Sequence, residues 1–138
     1  MFHQDIKKLA LENTNFRKVI YTGQNCQLVL MSIPIGGEIG EETHSTIDQI
    51  LFLVEGKGEA IIEGQLFPFI ENEVVFVPAG TKHNFKNTSD KDLKLYTIYS
   101  PPAHKDETIH KTKEEAEKDE EDHYQKAETL PSDPLENM

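Results

Sequence analysis

Residues that are able to bind a metal ion lie close together in residues 36–56 of the chain. Glu42, His44 and Gln49 stand there within a few positions of one another. Because successive side chains of an extended chain point to opposite faces, Glu42 and His44 point to the same face. The strand predicted over residues 48–54 brings Gln49 back beside that pair. A carboxylate, an imidazole and an amide oxygen are therefore expected to face one cavity, where a metal ion would need one more strong ligand.

That further ligand is predicted in residues 72–87. A β-branched and aromatic strand ends there at the turn Pro78-Ala79-Gly80, and the chain restarts as a strand near His83. Proline and glycine are residues that tight turns favour, because of their backbone geometry. The turn therefore directs His83 toward the first cluster, and Pro78 and Gly80 shape the turn without reacting.

The two stretches together resemble the paired motifs of the cupin superfamily, written G-x5-H-x-H-x3,4-E-x6-G and G-x5-P-x-G-x2-H-x3-N. Gly37 lies near the leading glycine of the first motif and Gly56 closes that motif. Glu42, His44 and Gln49 stand where this motif has its first histidine, its second histidine and its glutamate. Two of the four usual ligand positions are therefore altered.

Four positions of the second motif keep the residue type and spacing of the family: Pro78, Gly80, His83 and Asn87. Asn72 replaces its leading glycine. Over residues 33–87, the resemblance implies a metal site with two imidazoles and one carboxylate, from Glu42, His44 and His83. This is the ligand set of a facial triad, which leaves coordination positions open. Gln49 is either a weak fourth ligand or only a hydrogen-bond partner.

Each of these residues also has an ordinary structural interpretation. A lone His44 or His83 is more often a polar residue at a strand end, and Glu41-Glu42 is compatible with a solvated acidic turn. The neutral amide of Gln49 would bind a divalent ion weakly. The two-motif pattern favours ligation for the histidines.

Two histidines near the end of the chain belong to a narrower resemblance. Residues 101–113 are similar to the tail of small bacterial single-domain cupins that are called mannose-6-phosphate-isomerase-like. Apart from this resemblance, we expect His104 and His110 to be exposed to solvent, like His3 and His123. The sequence has no cluster of Lys or Arg that would hold a sugar phosphate, and its one arginine, Arg17, lies in an early predicted strand. The isomerase interpretation is weakened by this and stays open.

The elements that would position these residues are short strands separated by turns that contain Gly or Pro. Strands are predicted over residues 16–22, 26–33, 48–54, 58–63, 65–69, 74–77, 82–87 and 93–99. Since no helix is interleaved with them, the pattern predicts an antiparallel barrel or sandwich. The resemblance narrows this to an all-β double-stranded β-helix, which is a jelly-roll barrel. The core candidates alternate along their strands; they are Leu28, Leu30, Leu51, Leu53, Val75, Val77 and Leu95.

A short helix is predicted before the barrel and an acidic tail after it. Residues 5–12 carry apolar side chains at helical spacing. Residues 1–102 are predicted to be the barrel domain, with its core over about residues 16–99. Residues 103–138 are predicted to be the tail, partly helical and then disordered over residues 129–138. A capping box at Thr112 and Glu115 predicts that its helix runs from about Lys113 to about Lys126.

Charge and composition restrict the partners. The 138 residues include 14 Lys and Arg against 25 Asp and Glu, which gives a net charge of -11. Nucleic acids and anionic membranes need a basic surface, so we expect neither as a partner. The first residues lack the basic and apolar segments of a secretory signal, and we expect a cytoplasmic protein. The single cysteine, Cys26, lies beside an apolar run and is predicted to be buried.

Three classes of function stay open on this basis. The first is a metal-dependent enzyme that acts on a small polar molecule, of the sugar isomerase or small-molecule oxygenase type. The second is a non-catalytic barrel that binds a small ligand, and the third is an interaction protein that works through its acidic tail. The site would hold one divalent ion, and iron, manganese, nickel, cobalt and zinc all suit the ligand set. The resemblance also implies a homodimer, to which Phe2, Phe16 and Tyr21 would contribute apolar surface.

Overall fold

A computed structural model describes residues 1–124 as a two-sheet antiparallel β-fold with two short helices. This confirms the predicted all-β jelly-roll architecture with a short N-terminal helix. The elements, in chain order, are α1 (Ile6–Glu12), β1 (Arg17–Thr22), β2 (Gln27–Ile33), β3 (Asp48–Glu55), β4 (Lys57–Ile62), β5 (Gln65–Ile70), β6 (Val74–Val77), β7 (His83–Asn87), β8 (Leu93–Ser100), β9 (Ile109–His110) and α2 (Lys113–Lys118). None of the helices in these residues is long and apolar enough to cross a membrane.

The two sheets differ in size and enclose one core. The larger sheet has the strand order β6-β3-β8-β2-β1-β9, and the smaller has the order β5-β4-β7. Val29, Leu51 and Leu95 from the larger sheet share a buried cluster with Phe69 and Phe85 from the smaller one. The space between the sheets is therefore where inward-pointing polar residues must find partners.

A short irregular segment, residues 36–44, extends the smaller sheet beyond β7. Glu38 pairs with Lys86 and Glu42 pairs with His83, both as isolated antiparallel bridges. The backbone N–H of Ile39 also donates to the carbonyl of Phe85 at 2.9 Å. The segment thus lies along the free edge of β7.

The predicted core is confirmed in β3 and β8 and is wrong for part of β2. Leu51 and Leu95 are fully buried, but the inner face of β2 consists of Val29, Met31 and Ile33. Leu28 is only partly buried. Leu30 is buried on the opposite face, which α1 covers, so the apolar pattern of β2 fits both registers. Val75 of β6 is likewise only partly buried.

The predicted turn between β4 and β5 is confirmed, whereas the predicted burial of Cys26 is wrong. The reversal between β4 and β5 uses Glu63 and Gly64, both with positive φ angles of 51° and 79°, as a tight hairpin requires. Pro68 lies in β5, which is an edge strand as predicted. Cys26, however, is exposed, because it lies in the turn just before β2 and not within that strand.

The C-terminal segment, defined here as residues 103–124, packs on the barrel. Its strand β9 pairs with β1, and its helix α2 begins at Lys113 and is capped by Thr112, whose hydroxyl accepts from the Glu115 N–H at 3.1 Å. The predicted helix start is confirmed, but the predicted end near Lys126 is wrong, since α2 ends at Lys118. None of its residues is fully buried, so little apolar packing is present to prolong it.

The predicted disorder of residues 129–138 lies outside the described residues, and the domain boundary at residue 102 stays a prediction.

The close contact between β4 and β7 leads to a prediction. A Cβ atom on Gly58 would lie 2.2 Å from the backbone oxygen of Lys86. Because β7 would have to move, Gly58→Ala should lower the free energy of unfolding by about 1–3 kcal/mol, measured by urea denaturation. The matched control is Lys57→Ala at the exposed neighbouring position, with an expected change within about 0.5 kcal/mol. Equal midpoints for the two variants would contradict this packing.

Candidate metal centre

Two backbone hydrogen bonds bring the first candidate ligand to the second motif. The N–H of Glu42 donates to the His83 carbonyl and the N–H of His83 donates to the Glu42 carbonyl, both at 2.9 Å. The side chains of these two residues therefore start from directly opposed positions. Glu42 remains only half-buried, with its side chain 34% exposed.

The turn between β6 and β7 fixes the other side of the site. Gly80 has a φ angle of +85°, a conformation that glycine adopts without strain. Its N–H donates to the His44 carbonyl at 2.7 Å, and the N–H of Ala79 donates to a carboxylate oxygen of Asp48 at 2.8 Å. The Pro-Ala-Gly turn thus holds the backbone of His44 while it returns the chain to His83.

The structure brings Glu42, His44 and His83 together, as the sequence predicts. One ligand atom from each residue lies within 4.8 Å of the other two. The carboxylate Oε1 of Glu42 and the Nε2 atom of His44 are 3.9 Å apart, and the two imidazole centroids are 5.4 Å apart. Two nitrogens and a carboxylate oxygen at this separation form a group able to hold one divalent ion.

The hydrogen bonds of the imidazoles fit a metal ion. Nδ1 of His83 is 2.9 Å from the carbonyl oxygen of Thr81, which only accepts, so Nδ1 carries the proton and Nε2 keeps its lone pair. This is how metal-binding histidines are commonly oriented. Nε2 of His83 and Nε2 of His44 are both buried and have no partner among the described residues. Buried nitrogens of this kind need a partner, and a metal ion would supply it.

Gln49 lies in the barrel interior near this group. Its side chain is buried, its Nε2 donates to the Thr97 hydroxyl at 3.2 Å, and its Oε1 has no partner among the described residues. Gln49 stands opposite Tyr99 in the β3–β8 register, and the Tyr99 ring lies edge-on to His44 at 5.9 Å. The amide oxygen is therefore free either to bind a metal or to accept from a bound molecule, and both interpretations of Gln49 stay open.

Electrostatics keep the histidine of the first motif neutral. Burial lowers the pKa of His44, and the positive charge of Arg17 lowers it further, against the opposing effect of Glu42. A neutral imidazole is the form that binds a metal. Burial also raises the pKa of Tyr99, so its hydroxyl keeps its proton.

The asparagine of the second motif is structural. The Nδ2 atom of Asn87 donates to the carbonyls of Ile33 and Lys91, both at 2.9 Å, and its Oδ1 accepts from Ser89. Asn87 thus ties the end of β7 to two neighbouring loops.

Two histidines that were predicted to be exposed are buried, which corrects that prediction. His104 and His110 are 8% and 4% exposed, whereas His3 and His123 are exposed as predicted. His110 has partners on both nitrogens, with Nδ1 3.2 Å from Arg17 and Nε2 2.9 Å from Asp119. The contacts that bury them come from β1 and from the chain after α2, so local sequence carried no signal beyond the motif of the tail.

Asp122 fixes the orientation of His104. Burial opposes ionisation of Asp122, but its hydrogen bond to His104 and the charges nearby outweigh this and lower its pKa to about 2. The ionised carboxylate only accepts, so Nδ1 of His104, 2.7 Å away, carries the proton. The other nitrogen, Nε2, is buried without a partner among the described residues. The rings of Tyr99 and His104 are edge-on to each other, with their centroids 4.9 Å apart, and Tyr99 is also edge-on to the candidate ligand His44.

A cavity of about 450 Å³ reaches this region from the surface. Its lining includes Arg17, Glu42 and, from α2, Ala116 and Glu117. This volume is sufficient for a small molecule. The candidate ligand Glu42 is therefore accessible from outside the barrel.

Residues 29–99 of the chain match the family described as Cupin domain. This range contains the four candidate ligand positions. Among solved structures, BH2720 from Bacillus halodurans is similar to this chain with a TM-score of 0.83 and 37% sequence identity. The match covers 84% of this chain and 92% of that protein.

Two curated sequences extend the comparison. The uncharacterized protein YrkC of Bacillus subtilis is 38% identical over 122 residues, which are 83% of this chain and 65% of YrkC. The chain thus spans slightly less than two thirds of that relative. A 5-nitrosalicylic acid 1,2-dioxygenase of a Bradyrhizobium species is 32% identical over 74 residues, which are 54% of this chain and 33% of that enzyme.

The buried histidines predict how stability depends on pH. Burial lowers the pKa of His44 and His104 from the ordinary value of 6.5. The unfolded chain therefore takes up these protons at higher pH than the folded chain does. The contribution of these neutral imidazoles to the stability of the folded chain is complete above about pH 6.5 and is lost as the pH falls below that value. Urea denaturation of metal-free protein should give a lower free energy of unfolding at pH 5 than at pH 7.

Substitution separates this effect from general acid destabilisation. His104→Gln should reduce the difference in unfolding free energy between pH 5 and pH 7. His123→Gln, at an exposed histidine of the same segment, should preserve that difference. An unfolding free energy that is constant or higher at pH 5 would contradict the burial of neutral imidazoles.

Proposed function

The chain belongs to the cupin superfamily, and on this basis we propose that it is a metal-dependent enzyme that acts on a small polar molecule. One divalent ion would be held by Glu42, His44 and His83, with Gln49 either as a fourth ligand or as a hydrogen-bond partner of the bound molecule. The observation that carries the proposal is the pair of unpartnered, buried Nε2 atoms on His44 and His83 beside the Glu42 carboxylate. Iron, manganese, nickel, cobalt and zinc all suit this donor set.

The chain's own residues would prepare the site for chemistry. Thr81 fixes the tautomer of His83, and the turn at Gly80 fixes the backbone of His44. Three protein ligands would leave positions free on an ion that accepts six, and the cavity that Glu42 lines reaches this ligand from the surface. The chemistry supplied by a bound ion would be polarisation of a carbonyl or hydroxyl group, or activation of water or dioxygen.

Of the two reaction types, the oxygenase type has the more specific support. Two histidines and one carboxylate are the ligand set of non-haem iron oxygenases, and the Bradyrhizobium relative is named as a dioxygenase. The isomerase type, and membership of the bacterial mannose-6-phosphate-isomerase-like group, rest on the resemblance of the tail alone. A non-catalytic ligand-binding barrel is the alternative, and steady-state turnover separates it from an enzyme. An interaction protein that works through its acidic tail would need no metal, so metal content separates it from both.

Removal of a ligand tests the metal site. His83→Ala and Glu42→Ala should each weaken metal binding by more than the ~10–100-fold loss that a supporting hydrogen bond alone causes. Elemental analysis after purification without chelator measures this, and circular dichroism checks that the barrel remains folded. His123→Ala, which removes an exposed histidine, is the matched control and should keep the metal content of the parent.

Two further measurements complete this test. Acidification should release the ion as the histidines protonate, and neutralisation should restore binding. Gln49→Ala should weaken binding modestly if the amide is a ligand and leave it unchanged if it is not. Full metal retention in both Glu42→Ala and His83→Ala would refute the metal site.

The homodimer also stays a proposal, as does the cytoplasmic location. Phe16 is buried in the core and contributes nothing to an interface. The rings of Phe2 and Tyr21 pack against each other near the surface, with their centroids 5.7 Å apart. Apolar side chains are also exposed on β5 and β6, including Phe67 and Phe76. We propose that a second copy of the chain covers the exposed apolar side chains of β5 and β6, which are edge strands of the two sheets.

Sedimentation measures this association. Because burial of charge in an apolar interface is unfavourable, Phe76→Lys should shift the protein from dimer to monomer at equal concentration. Ile109→Lys, at an exposed apolar residue of β9 at the opposite edge of the larger sheet from β6, should leave the dimer intact. A monomeric parent protein at high concentration would reject the proposal.

A further inference from the structure

Unpartnered polar atoms extend beyond the candidate metal ligands. Among the described residues, five buried side-chain atoms lack a hydrogen-bond partner. Three belong to His44, Gln49 and His83. The other two are Nε of Arg17 and Nε2 of His104, which the metal site does not use. Since buried polar atoms are normally paired, these two indicate a place for a molecule that binds there.

Arg17 is held by neighbouring side chains, while its buried Nε atom has no hydrogen-bond partner among the described residues. Its side chain projects from β1 and is 8% exposed. Nη1 is 3.2 Å from Nδ1 of His110 and 4.0 Å from the Asp122 carboxylate. Asp119 lies at the other nitrogen of His110, and burial of this network fixes the guanidinium. The Nε–H of Arg17 is therefore a fixed donor that carries a positive charge.

His104 is held with one acceptor left free. The side chain of Gln27 binds its backbone on both sides, with Oε1 2.9 Å from the His104 N–H and Nε2 2.8 Å from the His104 carbonyl. Nδ1–H of His104 donates a hydrogen bond to Asp122, so the neutral ring presents the lone pair of Nε2. Burial lowers the pKa of His104 and so favours this neutral form, against the opposing effect of Asp122.

Both groups lie near the metal ligands. Arg17 and Glu42 line the same cavity. The ring of Tyr99 lies edge-on to His104 and also edge-on to His44. A molecule bound at the ligands would therefore have Arg17 and His104 beside it.

The groups that carry the unpartnered atoms define the kind of molecule. The cavity as a whole is acidic, since Glu38, Glu41, Glu42 and Glu117 line it against Arg17 and Lys113, so general charge does not attract an anion there. Arg17 supplies a charged donor, which suits a carboxylate oxygen, and His104 supplies an acceptor, which suits a hydroxyl hydrogen.

We propose that Arg17 and His104 form a subsite for a small hydroxycarboxylic acid, with the carboxylate on Nε of Arg17 and the hydroxyl hydrogen on Nε2 of His104. This assignment rests on the proposed function, because the ligand lies between this subsite and the metal ligands. It also makes the C-terminal segment, through His104 and Asp122, a wall of the site.

Three probes with the same carbon skeleton test the ligand class. Lactate has both groups, propanoate lacks the hydroxyl, and propane-1,2-diol lacks the carboxylate. Nuclear magnetic resonance titration of the zinc-loaded protein gives their dissociation constants. Lactate should bind at least tenfold more tightly than either of the other two. Inorganic phosphate is a fourth probe, and tighter binding of phosphate than of lactate would overturn the carboxylate assignment.

Substitutions test whether Arg17 and His104 bind the ligand. Arg17→Gln should weaken lactate binding by about 10–100-fold, the effect of losing one hydrogen bond to a charged group, and His104→Gln by about 2–10-fold, the effect of losing one between neutral groups. Lys18→Gln makes the same change of charge at the next residue of β1, and His123→Gln replaces an exposed histidine; both should bind like the parent. Arg17→Lys keeps the charge and removes the Nε donor, so it should also weaken lactate binding, and it serves if Arg17→Gln fails to fold.

Metal content measured in the same samples separates the two proposals. Zinc-loaded parent protein that does not prefer lactate, or variants at Arg17 and His104 that bind lactate like the parent, would overturn the subsite while the metal site stands. Equal weakening in Lys18→Gln would also overturn it, since only general charge would then matter. Failure of the parent to retain zinc would refute the metal site, and Arg17-dependent lactate binding without zinc would still support the subsite.

Discussion

The site depends on the pair of backbone hydrogen bonds between Glu42 and His83. Residues 36–44 contain only isolated bridges, so their position is set by contact with β7 and not by a strand of their own. Without this pairing, a half-exposed carboxylate would stand in a loop at no fixed distance from either imidazole. Because His83 is also held by Thr81, one edge of the smaller sheet determines the geometry of two candidate ligands.

The same site is where the fold gives up stability. Without a bound ion or molecule, each unpartnered buried polar atom costs about 1–3 kcal/mol, and the described residues contain five of them. The core between the sheets, with Leu51, Leu95 and Phe85 buried, compensates for this cost. Polar atoms that weaken the fold and lie together beside a cavity are what a binding site requires.

Sequence predicts the parts of this structure that depend on neighbours along the chain. The turn at Gly80 and the alternation of Glu42 and His44 are local, and they lead to the ligand cluster that the structure shows. Strand β2 was harder, because α1 covers its outer face and both Leu30 and Val29 are buried. The burial of His104 and His110 was not predictable from local pattern, since their partners Asp122 and Arg17 are distant in sequence.

The clamp that Gln27 makes on the backbone of His104 has an evolutionary consequence. A barrel and its tail that met only through apolar contacts would tolerate exchange of tails between relatives by recombination. Here the amide of a residue in β2 matches two backbone groups of the C-terminal segment, and Arg17 in β1 is tied to the same segment. A tail from another protein would fit only if the early strands already carried both partners. The two ends of the chain are therefore expected to be inherited together, and they should diverge in a correlated way.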